Sequence, residues 1–247
     1  MMKSTDDFEA AIERLDTELF EQIYSQTTVA DKRSLLAIQR SFRQSGEYVY
    51  LEIGSHLGGT IQPHLLDPYC VKIYSIDSRP AIASDVRGDQ PYPDNSTERM
   101  LGLLAKVAPQ NLAKIETFDA VSSRIDTSSI MPKPNLCFID GEHTDMAVIA
   151  DFEFCLQTAA QNCTIVFHDS DLVYRGIRRI IADLNKQGLP HTPMKLGGSV
   201  FAIAFGRSRT PSDPFIHSTS RRNVRFHMLR SSAVRRLKSL KRMLKRQ

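Results

Sequence analysis

Two short segments place acid and imidazole side chains directly after apolar runs. Asp140 and His143 follow one run, and His168 and Asp169 follow the next run along the chain. If both runs are neighbouring parallel strands, their carboxyl ends meet at one edge of a sheet. Carboxylates suit a divalent ion such as Mg²⁺, and imidazole can bind a metal or accept a proton near neutral pH. The pattern predicts a metal and proton-transfer site, although Asp140 and His143 could instead serve only as helix caps.

A glycine segment follows an earlier apolar run and is predicted to open a helix. Glu52, Gly54 and Gly58 form the pattern Glu-x-Gly-x-x-x-Gly, in which glycine permits a sharp turn and close approach of a ligand. The spacing differs from the Gly-x-Gly-x-x-Gly of dinucleotide-binding loops, so a pyrophosphate clamp is disfavoured. Asp77 ends the next run, where a carboxylate can accept both hydroxyls of a ribose. Because nicotinamide enzymes use the same position, Asp77 alone does not identify the cofactor.

Alternating apolar runs and helical patterns must position these residues. They predict an α/β fold: a Rossmann-like, doubly wound, mostly parallel sheet with a C-terminal antiparallel hairpin strand. The predicted strands are 48–53, 71–76, 115–118, 136–139, 164–167, 194–196 and 199–205, and the predicted helices are 5–24, 30–44, 145–160 and 172–187. The polar segment 78–100 has no clear period and is predicted to be a loop that forms a lid.

The chain is predicted to divide into four parts. These are a helical extension (1–45), the main domain (46–206), a linker (207–220) and a basic amphipathic tail (221–247). The tail has eleven Lys or Arg and no acid. It fits three interpretations: a solvated tail, a segment that docks on an anionic membrane surface, and, least favoured, a nucleic-acid contact.

Composition excludes several classes of protein. The chain is 41% hydrophobic and 24% charged, an ordinary balance for a globular domain. No apolar run reaches the length of a membrane span, and the first residues lack the apolar core of a secretion signal. Cys70, Cys137, Cys155 and Cys163 lie in apolar runs without a Cys-x-x-Cys pair, which predicts buried, reduced thiols. We therefore expect a cytoplasmic protein that is at most peripheral to the membrane.

Residues 46–206 resemble the class I methyltransferases that depend on S-adenosylmethionine. Glu52-x-Gly54-x-x-x-Gly58 is similar to their first motif, an acid followed by two spaced glycines. The segments FIDGEH and FHDS, which contain Asp140 and Asp169, resemble a bacterial branch that includes cephalosporin-hydroxylase-like and macrolide-sugar O-methyltransferases. Members of that branch read FIDG(D/E)H and, one strand later, HD.

The resemblance implies a role for each candidate residue. The cofactor S-adenosylmethionine would be bound by a set that includes Asp119 at the adenine amino group: Glu52, Gly54, Ser55, Gly58, Asp77, Asp119 and Asp140. A metal, Mg²⁺ by analogy, would be held by Asp140, His168 and Asp169. His143 occupies the position of a catalytic lysine in catechol-type relatives and would be the base.

These expectations converge on an O-methyltransferase, with metal assistance, that acts on a hydroxyl of a sugar, glycan precursor or natural product. The motif for methylation of nucleobase amino groups, (D/N/S)PP(Y/F), is replaced by Asp140–His143, which favours an oxygen acceptor. Three alternatives remain open: an NAD-type oxidoreductase, a non-catalytic scaffold that works through its basic tail, and an RNA methyltransferase that uses the tail. A homo-oligomer is also compatible with the sequence.

Overall fold

A computed structural model of the chain describes residues 5–85, 87–220, 228, 229 and 231–233. Its strands, in chain order, are β1 (Tyr48–Ile53), β2 (Cys70–Ile76), β3 (Ile82–Asp85), β4 (Gly88–Pro91), β5 (Ile115–Phe118), β6 (Leu136–Ile139), β7 (Thr164–Phe167), β8 (His191–Lys195) and β9 (Phe201–Phe205). Its α-helices are α1 (Thr5–Arg14), α2 (Val29–Arg43), α3 (Gln62–Leu66), α4 (Thr97–Val107), α5 (Asp145–Thr158), α6 (Tyr174–Lys186) and α7 (Pro214–Thr219).

Seven of these strands form one sheet in the order β5-β2-β1-β6-β7-β9-β8. The first five are mutually parallel, whereas β9 runs antiparallel to β7 and β8 antiparallel to β9. Every residue of β1 is buried, because helices cover both faces of the sheet, and Glu52 is its one ionisable acid. The sheet confirms the predicted doubly wound fold with an antiparallel C-terminal hairpin.

Two helices differ from the prediction because of left-handed backbone. The helix predicted over 5–24 ends at Arg14, since Leu15 has a φ of 53°, and the chain continues into a short 3₁₀ turn. The helix expected directly after the glycine segment begins only at Gln62. Gly54, His56 and Gly58 all have positive φ, which a right-handed helix cannot contain.

The segment 78–100 has more regular structure than expected. β3 and β4 pair as a separate antiparallel hairpin, and α4 starts before the segment ends. Gly88 lies at the hairpin turn with a φ of 110°, a conformation that glycine adopts without strain. We call residues 82–85 and 87–91 the lid hairpin.

The two ends of the described chain pack together against the sheet domain. Arg40 of α2 makes two hydrogen bonds to the carboxylate of Asp213, of 2.9 and 3.0 Å, and both side chains are buried. Ile216 of α7 is fully buried. The segment 207–220, predicted to be a linker, thus contains a packed helix, because its sparse apolar residues are sufficient to cover α2.

The cysteines, the basic tail and the absence of a predicted membrane span can each be compared with the structure. All four cysteines are free and buried, as predicted. The basic tail lies largely outside the described residues, although Met228 is buried and the Ser231 hydroxyl lies 3.1 Å from Asp171. Among the residues that the structure describes, no helix is both long and apolar enough to cross a membrane.

We expect Asp213→Ala to lower the free energy of unfolding by about 3–5 kcal/mol, because it removes the buried carboxylate that pairs with the Arg40 guanidinium. Asp183→Ala is the matched control, since Asp183 pairs with Arg179 at 2.8 Å in a solvent-exposed position. Exposed pairs contribute about 0.5 kcal/mol. Urea denaturation of the three proteins measures the difference, and equal losses in both variants would contradict the role of the buried pair.

Candidate active site

A cavity of about 670 Å³ opens at the carboxyl ends of β1, β2, β5 and β6. Its wall includes Gly54 and Ser55 after β1, Asp77 after β2, and Asp140 and His143 after β6. The lid hairpin contributes Ile82 and Ala83 to the wall, and its neighbour Tyr92 lies there as well. The predicted convergence of the strand ends is therefore observed, and five of the predicted site residues share one cavity.

The glycine segment lies tightly against the end of β6. Gly54 has a φ of 91°, and a Cβ atom added to it would lie 2.2 Å from the Asp140 carbonyl oxygen. The Asp140 amide donates a hydrogen bond of 2.8 Å to the Ile53 carbonyl, which continues the β1–β6 ladder by one residue. Only glycine permits this approach, so the residue type at position 54 fixes the distance between the loop and Asp140.

Glu52 and Gly58, both predicted to bind cofactor, lie behind the glycine segment. Glu52 is buried and accepts hydrogen bonds from the hydroxyls of Thr60 and Tyr50. Burial raises the pKa of Glu52 to about 8, although both hydrogen bonds favour its ionised form. Gly58 packs against Leu104, so its missing side chain makes room for α4. Both residues shape the segment from behind.

Asp77 forms the wall beyond the glycine segment. Its two carboxylate oxygens accept hydrogen bonds of 2.7 Å from the backbone amides of His56 and Arg79. Each carboxylate oxygen has a second acceptor position, so Asp77 can still bind ligand hydroxyls.

Asp119 is placed differently from the expectation. One of its oxygens accepts hydrogen bonds from Arg79, at 2.9 Å, and from the Thr97 hydroxyl, at 2.5 Å. The cavity wall is formed instead by the next residues, Ala120 and Val121. An adenine contact by Asp119 therefore stays a prediction, and the observed role of its carboxylate is to hold Arg79.

The two acid and imidazole segments meet, as the sequence predicts. His143 Nε2 lies 3.3 Å from Asp140 Oδ1 and 3.5 Å from Asp169 Oδ2. His168 Nδ1 lies 2.9 Å from the same Asp140 oxygen. Burial alone would raise the pKa of Asp140, but the two imidazoles outweigh it and hold that pKa at about 2. The four side chains act as one charged cluster, which we call the edge cluster.

Asp31, which the sequence did not single out, adjoins the edge cluster from α2. Its Oδ2 lies 3.5 Å from His168 Nε2, and its Oδ1 accepts a 2.6 Å hydrogen bond from the Ser199 amide. Burial would lower the pKa of His168, but Asp140 and Asp31 together raise it to about 11. His168 is therefore an imidazolium between two carboxylates. The sequence shows only that Asp31 completes a capping box with Thr28.

The lid hairpin brings two further charged side chains to the edge cluster. Arg87 Nη2 lies 2.9 Å from His143 Nδ1, and Arg87 Nη1 lies 3.4 Å from Asp169 Oδ2. Asp85 Oδ2 lies 3.4 Å from His143 Nδ1 and accepts two hydrogen bonds from Arg87. Both nitrogens of His143 thus face charged groups while the lid hairpin is in this position.

These contacts test whether the cluster suits Mg²⁺. The ligand atoms of Asp140, His143 and His168 all lie within 4.8 Å of one another, a separation that could hold a metal ion. Mg²⁺, however, prefers oxygen ligands. Here two of the three candidates are imidazoles, and His168 Nδ1 already lies 2.9 Å from Asp140 Oδ1. With Arg87 also beside Asp169, the residues in this arrangement do not fit Mg²⁺.

The fold and the site together define a methyltransferase. Residues 51–170, which include the glycine segment and the edge cluster, match the family model described as a methyltransferase domain. This match confirms the predicted class of enzyme, a methyltransferase. No curated protein sequence matches the chain.

Solved structures of methyltransferases have a similar fold at low sequence identity. CalS11, a calicheamicin methyltransferase, is 14% identical with a TM-score of 0.53, over 83% of this chain and 95% of that chain. TomG, an O-methyltransferase from Streptomyces achromogenes solved with S-adenosylmethionine, is 14% identical with a TM-score of 0.50, over 79% and 88%. MycE, solved with Mg and S-adenosylhomocysteine, is 13% identical with a TM-score of 0.50, over 80% and 55%. The likeness confirms the class I methyltransferase fold.

Gly54→Ala should destabilise the protein more than Gly46→Ala, although both glycines have positive φ. Gly46 has no neighbouring atom within 4 Å of an added Cβ, so only backbone strain of about 1–2 kcal/mol is expected there. At Gly54 the Asp140 carbonyl must also move, which adds roughly 1–3 kcal/mol. Urea denaturation measures both changes, and equal values would show that the contact with Asp140 is not tight.

Glu52→Gln should make stability less dependent on pH. Burial raises the pKa of Glu52 from 4.5 to about 8, so the folded state binds its proton more tightly than the unfolded state does. This contribution to stability is fully present below about pH 4.5 and is lost as the pH rises through 8. The stability of the wild type should therefore fall relative to the variant by up to about 1.4 kcal/mol per pH unit across that window. Denaturation series from pH 4 to 9 measure this, with Glu153→Gln on the exposed face of α5 as control. A constant difference would contradict the buried, protonated Glu52.

Proposed function

We propose that the protein is an S-adenosylmethionine-dependent O-methyltransferase acting on a hydroxyl of a sugar, glycan precursor or natural product. One observation carries the proposal: a single cavity joins the glycine segment and Asp77 to His143. Cofactor-binding groups and a group that can take a proton are thus within reach of one another.

Three groups along the cavity wall support the assignment of the cofactor. The close approach of Gly54 to the end of β6 leaves backbone exposed to a ligand, and Asp77 can accept ribose hydroxyls. At the far end, the Ser122 hydroxyl donates a 2.6 Å hydrogen bond to the buried Asp151, which gives a polar floor. The cavity volume lies in the range of small-molecule sites. The TomG structure contains S-adenosylmethionine, and an O-methyltransferase from Bacillus cereus contains S-adenosylhomocysteine.

The cavity also supports a mechanism based on this chain's own residues. S-adenosylmethionine supplies an electrophilic methyl group when it is bound. His143, which lies in the wall, takes the proton of the acceptor hydroxyl. The hydroxyl oxygen then bonds to the methyl carbon as the carbon–sulfur bond breaks, leaving S-adenosylhomocysteine. The cavity wall contributes by aligning the two reactants. Because the edge cluster does not fit Mg²⁺, no step requires a metal.

Two observations favour a hydroxyl as the methyl acceptor: the residues that follow β6, and the printed functions of similar solved structures. Asp140–His143 replace the motif used for methylation of nucleobase amino groups. CalS11 is described as a TDP-rhamnose 3′-O-methyltransferase, and MycE belongs to mycinamycin biosynthesis.

The match to a methyltransferase domain leaves the NAD-type alternative without support. Membrane docking by the tail, homo-oligomerisation and a cytoplasmic location stay predictions, and the non-catalytic scaffold becomes an outcome of the experiment below.

The first test is calorimetric titration of S-adenosylhomocysteine into wild type and Asp77→Ala. We expect binding that the substitution weakens at least tenfold, or about 1.4 kcal/mol. Asp183→Ala, a change of the same kind on α6, should leave the affinity unchanged. In an acceptor screen, His143→Gln should keep this affinity and reduce turnover about 100-fold or more. Absence of binding in the wild type would refute the proposed cofactor, and binding without turnover on any hydroxyl acceptor would favour a scaffold.

A further inference from the structure

The edge cluster gathers negative charge that a nearby positive charge must offset. Asp140 and Asp169 lie within 3.5 Å of the same imidazole nitrogen of His143, and Asp85 lies 3.4 Å from the other. Carboxylates gathered around one imidazole repel each other when they are partly withdrawn from water. A divalent cation is one way to hold such carboxylates together, and a protein cation is another.

Arg87 is the cation that the structure places there. Its guanidinium lies between the carboxylate of Asp169 and the imidazole of His143, at 3.4 and 2.9 Å. It also makes hydrogen bonds of 2.5 and 2.8 Å to Asp85, its neighbour in the lid hairpin. The planar fork of arginine suits several acceptors at once and keeps its charge at all ordinary pH values. Arg87 thus contacts Asp169, one of the predicted metal ligands, and the imidazole of His143.

We propose that Arg87 replaces the divalent metal in this methyltransferase, so that closure of the lid hairpin and metal binding at the edge cluster exclude each other. The proposal rests on the proposed function for its catalytic meaning. The competition between Arg87 and a metal ion can nevertheless be measured without turnover.

Two physical arguments support mutual exclusion. A divalent ion near Asp169 and His143 would meet the positive guanidinium at close range, and the two would repel each other. The same ion would also compete with Arg87 for Asp169 Oδ2, which the guanidinium contacts at 3.4 Å. The lid hairpin carries its own carboxylate, Asp85, so removing Arg87 leaves an extra oxygen ligand in the cluster. Loss of the arginine should therefore convert a poor metal site into a better one.

The lid position of Arg87 also gives closure a chemical role. The guanidinium reaches the edge cluster only because β3 and β4 fold over the cavity, so the positive charge arrives as the cavity closes. A bound metal would supply charge in the open state as well. In this chain the charge balance of the cluster depends on the position of the lid hairpin.

The test is titration of Mn²⁺ into the full chain, followed by electron paramagnetic resonance of the free ion. Wild type and Arg87→Lys should take up little Mn²⁺ below about 1 mM. Arg87→Leu should bind Mn²⁺ at least tenfold more tightly than the wild type, and adding Asp140→Asn to it should abolish the gain. Arg179→Leu removes one exposed arginine of α6 and controls for net charge, so it should match the wild type. Thermal melts confirm that each variant is folded.

The outcomes separate this proposal from the proposed function. Tight Mn²⁺ binding by the wild type would overturn the proposal that Arg87 replaces the metal. An Arg87→Leu protein that gains no affinity for Mn²⁺ would overturn it as well. Turnover gives a second readout: EDTA should leave the wild type active and should inhibit Arg87→Leu. Failure of the proposed function appears elsewhere, as absent binding of S-adenosylhomocysteine to the wild type, whatever the Mn²⁺ titrations show.

Discussion

The contact between Gly54 and the backbone of Asp140 sets the geometry of the whole site. It occurs where β1 and β6, the two central strands, end side by side, and it leaves no room for a side chain at position 54. The loop that turns away from β1 is therefore pressed against the residue that begins the edge cluster. A cofactor-binding wall and a proton-accepting group come within one cavity because two strands end at the same level and one of them ends in glycine.

Electrostatic balance is the second condition of the site. Four carboxylates lie around His143 and His168: Asp31, Asp85, Asp140 and Asp169. They come from α2, the lid hairpin and the loops after β6 and β7, so no single element controls the charge. The compensating side chains His168, His143 and Arg87 come from the loop after β7, the loop after β6 and the lid hairpin. Such a network links parts of the chain that are distant in sequence, and displacing one member alters the electrostatic potential at the others.

The features that depend on local sequence patterns could be predicted from the sequence. Strand ends followed by acids and histidines gave the location of Asp140, His143, His168 and Asp169, because parallel strands must present those ends at one edge. It did not show that Glu52 and Gly58 lie behind the glycine segment, since a motif gives positions and not side-chain directions. Asp31 and Arg87 were missed because their partners are distant in sequence. The premature end of α1 depends on the left-handed conformation of Leu15, which no residue pattern signals.

The participation of Asp31 changes what counts as the smallest working unit of this enzyme. Its carboxylate belongs to the first helical layer, yet it borders His168 and also anchors the loop before β9 through Ser199. A chimera that joined the sheet domain at residue 46 to a foreign N-terminal segment would keep every motif residue and lose one of the carboxylates beside His168. Chimeras of this fold should therefore be joined before α2, so that Thr28 and Asp31 come from the same parent protein as the strands whose ends they border.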